Sequence, residues 1–371
     1  MSDKKPTVAH RIADIVKRPY FWAVIAIVIL LAINTIKDPT YLDITVNAAN
    51  GNLVGNLVDI LRATAPILMI AAGMCLVIAT GGIDLSVGSI MVVAGAVSME
   101  FLKNAAGGSF LDSLAAVGLA LLIAGILGAV NGILVSVVGL QPFISTLVMM
   151  LAGRGLAKVI TAGQNTSATN DSFRWIANGY VVGLPVVFLL AVLIVIAVGL
   201  LVRRSALGLM IEAIGMDPKA ARLAGINRRG MLLTVYIASG VLAGIAGIFA
   251  TSSVMTVDVS RTGYQLELDA ILAVVIGGTS LMGGKFNLGG AAVGAILIAT
   301  LDKTVVFLGV SSSATPAFKA IVIVVLCLLQ SERVRSIFRQ RKLALPGPDT
   351  TGSGTTGTDK TGTDKKEAIV A

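Results

Sequence analysis

The chain has 371 residues, 56% of them hydrophobic and 13% charged, with a mean hydropathy of +0.90. Soluble domains carry roughly a quarter of their residues as charges, so a water-soluble globular class is excluded. The formal charge of +9 would suit a nucleic-acid partner, but most of the 29 Lys and Arg lie in short segments on one side of the apolar runs. That distribution orients a membrane protein and calls for no nucleic acid.

Runs of about 20 apolar residues, long enough to cross roughly 30 Å of hydrocarbon, recur along the chain. The reading is an all-α, polytopic membrane protein of about ten spans, some of them short or broken. Residues 1–19, with Lys4, Lys5, Arg11, Lys17 and Arg18, are expected in the cytoplasm. Tyr20–Thr35 is the first span; a cleaved signal peptide would need a small-x-small site, and none clearly follows. After an exterior loop come Val58–Thr80, Val87–Leu102, Leu114–Val138 and Phe143–Thr161. A polar exterior segment, Ala162–Ala177, leads to a sixth span at Val182–Val202. Met231–Val254, Leu268–Ser280, Leu288–Leu301 and Phe318–Leu329 complete a membrane domain over 20–331, with both termini inside. Residues 332–345 are a basic juxtamembrane segment. Residues 346–371, with TGTDK twice in succession, cannot bury a core and are expected to be disordered.

Between the sixth and seventh spans lies the longest internal polar segment, Ser205–Arg229. Leu207, Met210, Ile211 and Ile214 recur at helical spacing, as do Ala220, Ala221, Leu223 and Ala224, with Gly215 and Asp217–Pro218 as the turn between them. The pair reads as a docking platform at the membrane surface. Its faces could instead rest on the bilayer, but its many Ala and Gly suit a protein groove better than a lipid anchor.

Two stretches, 79–96 and 275–295, each end an apolar run with Gly-Gly, pass a short polar break and start another run, a pattern of repeat-built transporters or of two coincidental Gly-rich turns in a chain with 41 glycines. GGTSLMGGK (277–285) imitates a phosphate-binding loop, but Thr279 stands where its first Gly is required and Phe286 replaces the magnesium-holding hydroxyl, so no nucleotide site follows. Gly128/Gly132, Gly240/Gly244 and Gly290/Gly294 are spaced for close helix approach within a bundle or at a dimer face. The lone histidine, His10, and the cysteines Cys75 and Cys327, both inside apolar runs, leave no His/Cys metal site or Ser-His-Asp chemistry. Charged and polar groups in or beside spans are candidates for a solute pathway: Asp84, Ser86, Asn131, Gln141, Gln164, Glu267 and Asp269. Asp84, Glu267 and Asp269 equally suit helix N-termini. Arg154 and Lys158 share a face of the fifth span, placed for solute, a carboxylate or the interface.

Three stretches, ATGGIDLSVGS (79–89), QPFISTLVMMLAGRGLAKVITAGQ (141–164) and LELDAILAVVIGGTSLMGGKFNLGG (266–290), resemble the permease subunits of ATP-binding-cassette importers for ribose, xylose, arabinose and galactofuranose. The last two resemble the galactofuranose type most. The resemblance implies a permease of the bacterial inner membrane that moves a pentose or galactofuranose-like sugar. An extracytoplasmic binding protein would deliver the sugar and a cytoplasmic ATPase would drive the step, beside a second permease, identical or paralogous. ATP and magnesium would sit in the ATPase, leaving this chain without a cofactor of its own. By position in that family, 205–229 is the coupling segment, with Glu212, Gly215, Asp217, Lys219, Arg222 and Gly225 at the ATPase. The rival reading is an ion-coupled secondary transporter.

Overall fold

Each of the ten expected spans contains a helix in the computed structural model, which describes residues 19–47, 51–105, 108–311 and 314–330. Of the segment expected at 1–19, residues 1–18 lie outside the described residues, as do the segments expected at 332–345 and 346–371. In chain order the membrane helices are α1 (Pro19–Lys37), α2 (Asn56–Ala79), α3 (Val87–Asn104), α4 (Phe110–Ile133) and α5 (Pro142–Ile160). Then, with the short helix α6 (Asp171–Asn178) intervening, comes α7 (Val186–Arg204). The platform helices are α8 (Leu207–Met216) and α9 (Pro218–Leu223), followed by α10 (Arg228–Val254), α11 (Leu266–Ile276), α12 (Leu288–Phe307) and α13 (Thr315–Gln330). Among the described residues eight helices are long and apolar enough to cross a bilayer. The protein is an integral membrane protein. The eighth and tenth spans are the short ones, with 11 and 16 residues.

The bundle is organised around α2, which packs on α10, α12, α11 and α7 and is buried along most of its length. Ala and Gly make this possible, because small side chains let backbones approach where no hydrophobic effect drives association. A Cβ at Gly128 would lie 2.5 Å from the Tyr236 carbonyl oxygen, and one at Gly240 2.6 Å from that of Ala124, so α4 and α10 touch backbone to backbone. Gly290 and Gly294 seat α12 on α11 in the same way. The G-x-x-x-G pairs thus serve packing within the bundle.

On the face away from α8 and α9, three short antiparallel pairs tie the loops: Thr45–Val46 with Leu53–Val54, Thr166–Ser167 with Thr256–Val257, and Tyr180–Val181 with Leu184–Pro185. The last accounts for a shift in the sixth span, which begins at Val186. Val182 and Gly183, at φ 52° and 76°, form a two-residue hairpin turn and cannot enter a helix. The segment Ala162–Ala177 likewise holds α6, which starts where the Asn170 side chain accepts a hydrogen bond from the Phe173 amide at 2.9 Å. Helix α12 runs on past Leu301 to Phe307, which places Asp302 inside a helix.

Candidate functional site

The segment 205–229 folds as two short helices, and the sequence explains where each begins. Asp217 caps α9, its Oδ1 accepting from the amides of Lys219 at 2.8 Å and Ala220 at 3.1 Å, and Pro218 fills the first helical position. The α9 end requires Gly225, whose φ of +81° lies in the left-handed region. Ile211 and Ile214 turn inward onto Leu76, Val77, Val202 and Val235, and burying each stabilises the docked helix by roughly 1.5–3 kcal/mol. The opposite side is open. Asp217, Lys219, Arg222 and Gly225 are exposed, Leu223 is 90% exposed, and Glu212 is half-buried.

Gly215 lies inside the last turn of α8 rather than in the turn between the helices. A Cβ there would come within 1.9 Å of the Ala79 carbonyl oxygen and 2.3 Å of the Gly284 amide nitrogen. Those two atoms are bonded to each other, Gly284 donating to Ala79 at 2.9 Å. Ala79 ends α2 at the first Gly-Gly break, and Gly284 lies in the second, between α11 and α12. A Cβ on Gly283 would stand 2.9 Å from the Gly215 oxygen and 3.0 Å from the Gly81 Cα. The two breaks, some 200 residues apart in sequence, therefore meet directly beneath α8.

Behind the first break lies a polar cluster. Ser86 donates to Asp84 Oδ1 through its amide at 3.0 Å and its hydroxyl at 2.6 Å, and Ser239 of α10 donates to Asp84 Oδ2 at 2.8 Å. Asn131 of α4 donates to the Ser86 hydroxyl at 2.7 Å. Asp84 is 1% exposed, and Ser86, Asn131 and Ser239 are fully buried. Asp84 thus clasps the break to α10 and, through Ser86, to α4. Two buried atoms here, Asn131 Oδ1 and Tyr236 Oη, have no hydrogen-bond partner among the described residues. Each orphan costs roughly 1–3 kcal/mol.

The other sequence candidates lie elsewhere. Gln141 precedes Pro142 at one end of α5 and Gln164 lies beyond the other, both exposed and separated by a 19-residue helix, about 28 Å long. Glu267, 7% exposed at the start of α11, presses its Oε2 against Gly88 of α3. Near it Arg154 donates to the Gly263 carbonyl at 3.1 Å and lies over the Tyr264 ring at 5.6 Å, while Lys158 is exposed. Asp269 joins a triad: Lys319 of α13 meets its Oδ2 at 2.9 Å and Asp302 Oδ1 at 2.7 Å. Three neighbouring helices are pinned by that one ammonium group. The structure joins Asp84, Ser86 and Asn131 by hydrogen bonds, and among the described residues Gln141, Gln164, Glu267 and Asp269 make no hydrogen bond to them.

Lys319, Asp302, Ser239 and Tyr236 were not among the sequence candidates. The first two carried a usable signal, since charges in or at the ends of apolar runs are rare. Ser239 and Tyr236 carried none, being single polar residues in a long apolar helix.

A family described as branched-chain amino acid transport system / permease component matches residues 56–329. The chain belongs to this permease family. Its relatives include the fructose import permease protein FruF of Bifidobacterium longum, 52% identical over 86% of this chain and 90% of that protein. The galactofuranose transporter permease protein YtfT of Escherichia coli is 40% identical over 87% of this chain and 94% of its own. The ribose import permease protein RbsC of Escherichia coli is 37% identical over 84% and 93%. The fructose permease shares more residues than the galactofuranose permease whose motifs the chain resembles. No solved structure matches the chain.

Proposed function

We propose that the chain is the membrane-spanning permease subunit of an ATP-driven sugar importer, and that α8 and α9 receive the ATPase. The observation that carries the coupling role is the seat of α8. Through Gly215 it rests on the hydrogen bond that joins the two helix breaks, so a push on α8 must reach both breaks at once. A backbone contact at this distance has no flexible side chain to absorb the displacement.

Although the family description mentions amino acids, the relatives quoted above, which match most of the chain, are named for fructose, galactofuranose and ribose. Each of these three sugars has a five-membered-ring form, so a monosaccharide in its furanose form is the proposed substrate class, with fructose the first to test. The ATPase would close around bound ATP and magnesium, leaving this chain without a cofactor of its own. Glu212, Asp217, Lys219, Arg222 and Gly225, with the exposed Leu223, would form the docking face. An extracytoplasmic binding protein would deliver sugar at the other face of the inner membrane, and a second permease would complete the pathway. The platform and both termini are then cytoplasmic.

In this mechanism the Asp84 cluster is a latch. The break can change shape only by exchanging the hydrogen bonds to Ser86 and Ser239, and the orphaned Asn131 and Tyr236 atoms offer new partners in a second arrangement. The test is reconstitution with the co-expressed ATPase and binding protein. Fructose-loaded binding protein should stimulate ATP hydrolysis, and Leu223→Asp should remove the stimulation while the purified chain stays monodisperse. Stimulation unaffected by Leu223→Asp and by Arg222→Glu would dismiss the platform as the ATPase seat.

A further inference from the structure

Beside the platform, a cavity of about 280 Å³ opens between α7 and α10 under the start of α8. Its lining on α10 is Met231, Thr234, Val235 and Ala238, spaced along one helix face, and on α7 it includes Leu201 and Val202. Leu76 of α2 and Ile211 of α8 close its inner end. Thr234 brings the one polar side chain, and its hydroxyl donates its hydrogen to the Gly230 carbonyl at 2.9 Å. A hydroxylated solute would lose its hydrogen bonds to water here and gain at most one, by donating to the Thr234 oxygen. The groove is open to the side, where Ala197 and Leu201 are exposed along the length of a membrane helix.

Four arginines stand at its platform end. Arg203 and Arg204 directly follow Leu201 and Val202, and Arg228 and Arg229 precede Met231 by two or three residues. All four are exposed, and none forms an ion pair with a described residue. An apolar slot facing the bilayer, whose two flanking helices each carry a pair of exposed arginines at the platform end, matches one kind of molecule, an apolar chain carrying an anionic head.

We infer that this groove seats an acyl chain of an anionic phospholipid whose phosphate is held by Arg203, Arg204, Arg228 and Arg229. The lipid then fills the space on which α8 is braced, because Ile211 lines the slot and Gly208 packs against the Val202 carbonyl. A filled slot removes the space between α7 and α10 into which α8 could yield when it is pushed. The lipid site does not depend on which solute the permease carries, since it is read by bound lipid.

The experiment is native mass spectrometry of the full chain after nanodisc incorporation with mixed phosphatidylglycerol and phosphatidylcholine. The wild type should retain phosphatidylglycerol through delipidation. Ala197→Phe, which fills the groove from its open side and leaves every arginine in place, should lose it. Replacing all four arginines by Gln should lower the preference for phosphatidylglycerol over phosphatidylcholine about fivefold or more, with phosphatidylcholine still bound. Monodisperse elution and an unchanged melting temperature serve as folding controls. Equal retention by the wild type and Ala197→Phe would overturn the inference, as would a wild type that keeps no lipid. So would an arginine variant that keeps its lipid but no longer binds the purified ATPase, which would assign the arginines to the protein partner.

Discussion

Gly215→Ala should be the most damaging one-methyl change on the platform. The added Cβ would lie 1.9 Å from the Ala79 oxygen and 2.3 Å from the Gly284 nitrogen. Ordinary contact needs about 3.5 Å, so α8 must withdraw by about 1.5 Å or the breaks must part. Parting them loses the Gly284–Ala79 hydrogen bond, about 1 kcal/mol, on top of overpacking strain of about 1–3 kcal/mol. The total is roughly 2–4 kcal/mol, concentrated at the junction. Gly225→Ala provides the comparison. Nothing lies within 4 Å of its new methyl group, so the cost is backbone strain at φ +81°, about 1–2 kcal/mol. Gly118→Ala, in α4 with open space around it, should be neutral or slightly stabilising. Melting temperatures in one detergent rank the three, and binding-protein-stimulated ATP hydrolysis reads coupling. The reasoning predicts that Gly215→Ala falls furthest on both. Equal stability and coupling in Gly215→Ala and Gly118→Ala would refute the seat of α8.

Lys319→Met removes the one cation between Asp269 and Asp302 and should destabilise by about 3–5 kcal/mol, read as a lowered melting temperature. Adding Asp269→Asn and Asp302→Asn should restore most of the loss, and failure to do so would show that the triad is not the reason. Asp84→Ala frees two hydroxyls and an amide in a buried cluster and should cost about 2–4 kcal/mol, with Asp84→Asn milder because its amide oxygen can still accept. Asp217→Ala should lose about 1 kcal/mol of cap energy. Hydrogen exchange should then quicken within 218–223 and stay unchanged in α10.

What the sequence shows and what it hides follow from the range of the forces involved. The platform was legible because capping and amphipathic spacing are local: Asp217–Pro218 announces a helix start whatever surrounds it. The spans were legible because the bilayer sets their length, and α11 reads short because Gly277–Gly278 cut its run at the next break. The hairpin at 180–185 was hidden, since Val182 is β-branched and enters the left-handed region against its preference, held there by pairing of its neighbours. Asp269 could be singled out as a costly charge, but its partner lies fifty residues on, and helix packing alone sets that pairing. Gly215, two residues before Asp217–Pro218, has the sequence signature of a turn. Its actual role, to let one backbone touch another, depends on atoms from 79 and 284 that no local pattern announces.

The central claim is that this chain is a permease worked from outside by an ATPase on α8 and α9. It is tested most directly by fructose uptake into liposomes holding the chain with and without the co-purified ATPase. The account predicts uptake only when ATPase, ATP and sugar-loaded binding protein are all present, unaffected by an uncoupler. Uptake by the chain alone, driven by an ion gradient and abolished by the uncoupler, would contradict it.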